Sequence, residues 1–200
     1  MAKLVIATRN VHKIREIREI IGPLVTFDLL TLLDFPSYVP PEETGVTFCE
    51  NATIKAVDAA KKLGLWALAD DSGLVVPSIQ GEPGVYSARF AGPQATDKEN
   101  RKKLLLVMAK IPESERMAYF ECCMALASPS GLQKCCSATC EGKILFQEQG
   151  GSGFGYDSLF VKNDYRKSFA EMESSVKNKI SHRRKALDKI LLFLLSISES

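Results

Sequence analysis

The sequence predicts an α/β fold built on a mixed sheet. Strand-like and helix-like patterns alternate through the first half, and two strand-like runs meet at a tight turn in the second. Apolar residues make up 46% of the 200-residue chain and charged residues 25%, an ordinary globular balance. A chain of this size buries a real core, as one sizeable domain or two small lobes.

Lys3 to Ala7 reads as a short buried strand. Thr8, Arg9 and Asn10 lead from it into a helix whose apolar residues Val11, Ile14, Ile17, Ile20 and Ile21 recur three or four apart. Gly22-Pro23 stops that helix, Leu24 to Leu30 fits a second strand, and Pro36 to Pro41 is loop. Thr47 and Glu50 form a capping box that opens an alanine-rich helix to Leu63, with Gly64 as its cap. Leu65 to Ala69 is an apolar strand that breaks off at Asp70-Asp71-Ser72-Gly73. Leu74 to Ile79 fits another strand, and Gly81, Pro83 and Gly84 mark a loop. Thr96 and Glu99 repeat the capping box before a helix carrying Leu104, Leu105, Val107 and Met108. Met117 to Ala127 and Leu132 to Cys140 form a hairpin turned at Pro129-Ser130-Gly131. The glycine-rich stretch Gly150 to Gly155 then leads to Tyr156-Asp157 and the apolar Leu159-Phe160-Val161. A last helix, Ser181 to about Ile197, is apolar over more than one face, for core packing or a dimer contact.

Composition excludes several classes. Lys and Arg total 26 against 24 Asp and Glu, a formal charge of +2, so phosphate binding must be local rather than bulk attraction to nucleic acid. The longest apolar run, Ile190 to Leu195, is too short to span a bilayer, and Leu4 to Ala7 is too short for the core of a secretory signal. The expectation is a soluble, intracellular protein with no membrane or nucleic-acid partner. Its six cysteines, Cys49, Cys122, Cys123, Cys135, Cys136 and Cys140, include no Cys-x-x-Cys pair. Adjacent cysteines on a strand face opposite ways, so neither doublet can chelate as a pair. Buried, reduced thiols are expected.

Four segments could carry chemistry. The first strand–turn–helix is an anion site, with helix N–H groups, Lys13 in the first turn, and Thr8 and Asn10 as added hydrogen-bonding groups; any βα unit has such a turn. Asp70-Asp71 sits at the carboxyl end of a predicted strand, where α/β proteins place ligands. The pair is either a solvated turn or a site needing a cation, and Glu42-Glu43 could face it. Carboxylates, waters and substrate phosphates are the ligand set of Mg²⁺. The glycine stretch is either a flexible loop or a base site, with Phe154 to stack and Asp157 to accept a hydrogen bond. Lys177, His182, Arg183 and Arg184 are either a surface basic patch or donors to a purine 6-keto oxygen.

Together these blocks resemble the non-canonical purine nucleoside triphosphate pyrophosphatases, also called inosine triphosphate pyrophosphatases or XTP/dITP diphosphatases. The resemblance runs in order through Thr8-x-Asn10-x-x-Lys13, Glu42-Glu43-Thr44-Gly45-x-Thr47-Phe48-x-Glu50-Asn51-Ala52, Ala69-Asp70-Asp71-Ser72-Gly73-Leu74, Pro83-Gly84-Val85-Tyr86-Ser87-Ala88-Arg89, Gly153-Phe154-Gly155-Tyr156-Asp157 and Ser181-His182-Arg183. It implies an elongated, twisted mixed sheet flanked by helices, with two lobes and a central nucleotide cleft, within one domain over residues 1–200. It further implies a cytoplasmic homodimer that uses Mg²⁺ to hydrolyse dITP, ITP or XTP between the α and β phosphates. By the same resemblance Thr8, Arg9, Asn10, Val11, His12 and Lys13 hold the phosphates, while Glu42 and Asp71 bind Mg²⁺. Asp71 also accepts the proton and Ser72 touches substrate. Phe154, Gly155, Tyr156, Asp157, Lys177, His182 and Arg183 hold the nucleotide. Arg9 stands where the family often has glycine, and Lys162 to Lys167 lacks the family's usual Pro and Gly. A nucleotide-sensing module without turnover, and a triphosphatase for pyrimidine nucleotides, remain alternative readings.

Overall fold

A computed structural model describes residues 2–198. The strands are β1 (Lys3–Ile6), β2 (Asp28–Thr31), β3 (Trp66–Val75), β4 (Met117–Ser128), β5 (Gly131–Ile144) and β6 (Phe160–Lys162). The α-helices are α1 (Val11–Ile21), α2 (Phe48–Leu63), α3 (Asp97–Val107), α4 (Ser174–Ile180) and α5 (His182–Ser198). The six strands form one sheet in the order β2-β1-β3-β4-β5-β6. β1 runs parallel to β2 and β3, whereas β5 and β6 are antiparallel, so the sheet is mixed as expected.

Local chemistry sets the helix ends. Asn10 accepts hydrogen bonds from the backbone N–H groups of His12 and Lys13 and starts α1; Ile14, Ile17, Ile20 and Ile21 form its buried face. Both expected capping boxes are present, Thr47 with Glu50 and Thr96 with Glu99. Gly64 ends α2 at φ +67°, a left-handed conformation that suits glycine. The Leu24 to Leu30 expectation shrinks to Asp28–Thr31, because Leu24 and Val25 instead bond back to the Ile21 carbonyl and close the end of α1. α4, which the sequence reading left within a connection, covers a mostly polar segment with little apolar periodicity to betray it.

The chain divides into two compact units, and strands β3, β4 and β5 each contribute residues to both. The described part of the first lies within residues 2–71, 122–138 and 183–198; the second comprises 72–121 and 139–182. The first unit's core gathers Leu4, Ile6, Ile17, Leu68, Met124 and Leu126 with Leu187 and Ile190 of α5. Burying each such side chain contributes about 1.5–3 kcal/mol. α5 is therefore held by core packing along much of its length. The second unit's core is aromatic, with Phe120 edge-on to Phe160 at 4.8 Å and Leu74, Leu104 and Met108 around them. Among the described residues no helix is long and apolar enough to cross a membrane.

Candidate active site

β3 departs most from expectation. The strand does not stop at Ala69; it runs unbroken through Asp70-Asp71-Ser72-Gly73 to Val75, and Pro77–Ile79 is a short 3₁₀ turn rather than strand. The solvated-turn reading of this segment is corrected on burial: Asp70 is 1% exposed and Asp71 7%. β1 pairs with β3 only over Trp66–Leu68, and the Ala7 N–H donates to the Leu68 carbonyl at 2.7 Å. The two aspartates thus lie just past the β1 pairing, on a strand whose other neighbour in the sheet is β4. Adjacent strand residues face opposite sides, and their partners differ accordingly.

Asp70 forms ion pairs with Lys13 and with Arg183, whose Nε lies 3.1 Å away, and accepts a hydrogen bond from the Cys122 thiol at 3.0 Å. Arg183 is also paired with Glu16. Burial alone would raise the Asp70 pKa, but Arg183 and Lys13 outweigh it and hold the carboxyl well below its usual range. Asp71 pairs with Lys55 at 2.7 Å, and the same ammonium reaches Glu43 at 3.1 Å. Here burial prevails over Lys55 and Lys13, with Glu43 adding repulsion, so the Asp71 pKa is raised. Lys55 itself is raised: burial opposes its charge, but Asp71 and Glu43 overcome that. Sequence reasoning passed over Lys55. The available signal was its place one turn after the buried Asn51 in a helix otherwise rich in alanine.

The other predicted residues of this unit have distinct settings. Asn10 and Thr8 turn their side-chain oxygens to the loop itself, Thr8 Oγ1 accepting from the Asn10 N–H at 3.1 Å. Arg9 donates to the Tyr38 carbonyl at 2.6 Å. Val11 and His12 are exposed in the first turn of α1. Glu42 is exposed, and Glu43 is the member of that pair that reaches the Asp71 cluster.

In the second unit the glycine stretch is built rather than loose. Asp157 is buried, accepts from the Phe154 N–H at 2.9 Å, and pairs with the equally buried Lys177 at 2.5 Å. Gly153 has φ +76°, and a Cβ there would collide with the Asp157 carboxylate, so this turn requires glycine. Lys177 Nζ lies 4.9 Å from the centre of the half-buried Phe154 ring. The Gly155 N–H donates to Asp97 and its carbonyl accepts from Arg101, which also pairs with Glu148. Asp97 and Arg101 hold the Gly155 backbone and Glu148 braces Arg101, contacts between distant parts of the chain that no local pattern marks. Tyr156 is buried and donates its hydroxyl to the Ser87 carbonyl at 2.9 Å; Ser72 is half-buried on β3. His182 is buried and stacks on Phe120 at 4.8 Å. The surface-patch reading of Lys177, His182, Arg183 and Arg184 is therefore corrected for the first three: all are buried, and Lys177 and Arg183 are paired with carboxylates, while Arg184 is half-buried and pairs with Asp188 at 2.8 Å.

A mixed α/β sheet with buried, cation-compensated carboxylates in one unit, and a glycine loop braced by an Asp–Lys pair in the other, define an α/β protein of restricted type. The Ham1 family's sequence profile matches residues 4–193, and the chain belongs to that family. It is 57% identical over 198 residues to a protein of Protochlamydia amoebophila named dITP/XTP pyrophosphatase, covering 98% of this chain and all of the relative. It is 50% identical over 189 residues to a Chlamydia trachomatis protein of the same name, covering 94% and 90%. Among solved structures, a HAM1 protein from Coxiella burnetii matches with a TM-score of 0.87 at 39% identity, covering 98% of this chain and all of its own. The Staphylococcus aureus Ham1 protein matches with a TM-score of 0.85 at 36% identity, covering 98% and 99%.

Proposed function

We propose that this chain is a pyrophosphohydrolase that converts dITP, ITP and XTP to the nucleoside monophosphate and pyrophosphate, with residues 1–200 acting as one catalytic domain. The observation that carries this reading is the buried Asp70-Asp71 pair facing Lys13, Lys55 and Arg183, in a Ham1-family chain whose relatives bear the name dITP/XTP pyrophosphatase. The family resemblance supports a cytoplasmic homodimer acting on small nucleotides, without nucleic-acid or membrane partners.

The donor chemistry fits a magnesium ion. Asp71 and Glu43 already share one cationic group, the Lys55 ammonium, and Glu42 offers further oxygens from the same loop. Asp71 and Glu42 are the residues assigned to hold Mg²⁺. When bound, the ion supplies charge neutralisation on the triphosphate and a more acidic water. Asp71 takes the proton from the attacking water. Lys13 transfers from Asp70 to the triphosphate, joined by Arg9 and His12 beside the N-terminus of α1. Thr8 and Asn10 keep that turn in shape, and Val11 begins its helix. Asp70 stays ionised throughout because Arg183 remains on it. Ser72 contacts the substrate next to Asp71.

The second unit is assigned the base. Phe154 offers a ring face, and Gly155, Tyr156 and Asp157 hold the loop that presents it. Lys177 and His182 supply donors for a 6-keto oxygen, whereas adenine's amino group would leave them unsatisfied. The test is pyrophosphate release from dITP, ITP, XTP, dATP and dGTP, each with Mg²⁺ and with EDTA. Mg²⁺-dependent release confined to the first three supports the assignment. Orthophosphate as first product, or equal turnover of dATP, overturns it.

A further inference from the structure

Three cysteines far apart in the sequence come together in the first unit. Cys49 lies in the first turn of α2, Cys123 on β4 and Cys135 on β5, and their sulfurs all lie within 4.8 Å of one another. We propose that Cys49, Cys123 and Cys135 form a binding site for one zinc ion, separate from the carboxylate site.

The arrangement follows from strand alternation. Cys122 and Cys123 point to opposite faces of β4, as Cys135 and Cys136 do on β5. Cys122 is turned to Asp70, and the Cys136 thiol donates to the Ala186 carbonyl at 3.4 Å. The other member of each doublet meets its counterpart, Cys123 Sγ lying 3.3 Å from Cys135 Sγ. α2 then brings Cys49 over the pair. Neither doublet chelates by itself; one residue from each, with Cys49, makes the set.

Zinc bonds thiolate sulfur at about 2.3 Å, so sulfurs around a tetrahedral ion are about 3.8 Å apart. The Cys123–Cys135 separation needs to open by only about 0.5 Å to meet that geometry. Thr53, one turn beyond Cys49 on α2, donates its hydroxyl to Cys135 Sγ at 3.8 Å and orients that ligand from outside. The aligned peptide dipoles at the start of α2 favour the negative charge a three-thiolate set carries. Cys123 is buried while Cys49 and Cys135 are half-buried, which leaves a route from solvent by which water can serve as the fourth ligand. None of the six cysteines is in a disulfide. On binding, each of the three thiols loses its proton to water as its sulfur bonds the ion, with no change in oxidation state. Soft sulfur donors select zinc over magnesium, which prefers oxygen, so the two metal sites do not compete.

The experiment titrates the reduced full chain with Co²⁺, reading the thiolate-to-cobalt charge-transfer band, and then displaces it with Zn²⁺, which thiolate sites bind more tightly. The band should saturate at one equivalent and disappear on adding Zn²⁺. Cys49→Ser and Cys135→Ser, each checked for native circular dichroism, should weaken binding at least about tenfold. Cys136→Ser should bind as the parent does. A band that never saturates, or one that survives in both Cys49→Ser and Cys135→Ser, overturns the proposal. So does the loss of two thiols from freshly purified, metal-free protein, which would make Cys123 and Cys135 a disulfide pair instead.

Discussion

The two faces of β3 treat their carboxylates in opposite ways. On one, Asp70 has two cations and a thiol donor, and Arg183 and Lys13 hold it firmly ionised. On the other, Asp71 shares a single lysine with a second carboxylate, and burial leaves it with a raised proton affinity. The same residue type, one position apart, is thereby divided into an anchor and a reactive group. Charge compensation marks the difference better than burial does, since both are buried. The Asp157–Lys177 pair in the second unit belongs with the anchor: it is closed by a backbone N–H and holds a loop.

The largest expected effect tests the reactive face. Asp71→Asn keeps the shape and loses the proton acceptor, and pyrophosphate release from dITP should fall by about 10²–10⁴-fold. Asp70→Asn attacks the anchor. Removing Asp70's charge leaves Lys13 without this carboxylate and the buried Arg183 with Glu16 alone, and equilibrium unfolding should show a loss of about 3–5 kcal/mol. Lys55→Met sharpens the contrast, because it leaves Asp71 and Glu43 as facing like charges. In EDTA its melting temperature should drop by roughly 2–8 °C, equivalent to about 1–2 kcal/mol, and Mg²⁺ should recover more of that loss than it adds to the parent. Cys122→Ala deletes one hydrogen bond to Asp70 and should cost about 1–3 kcal/mol by urea unfolding, with dITP turnover at saturating substrate unchanged.

The sequence reveals what is decided locally. Thr47 with Glu50, Thr96 with Glu99, Gly64 and the isoleucine face of α1 are all set by neighbours within a turn or two, and each was legible. Asp70-Asp71-Ser72-Gly73 was not, because good turn residues stay extended here on the strength of Lys13, Lys55 and Arg183, brought in from distant parts of the chain. Burial of Lys177 and Arg183 escaped notice for the same reason: their carboxylate partners lie 20 and 113 residues away. The ordered family motifs singled these residues out, whereas local chemistry alone described them as surface groups. The cysteine trio was equally hidden, since spacing rules look for ligands close in sequence and these come from three elements.

The division of β3 into an anchoring and a reactive face is tested most directly by urea unfolding of Asp70→Asn and Asp71→Asn beside the parent protein. Asp70→Asn should lose about 3–5 kcal/mol while Asp71→Asn stays within about 1 kcal/mol of the parent or gains, since a neutral amide relieves a charge that burial disfavours. Equal losses in the two variants, or a larger loss in Asp71→Asn, would contradict it.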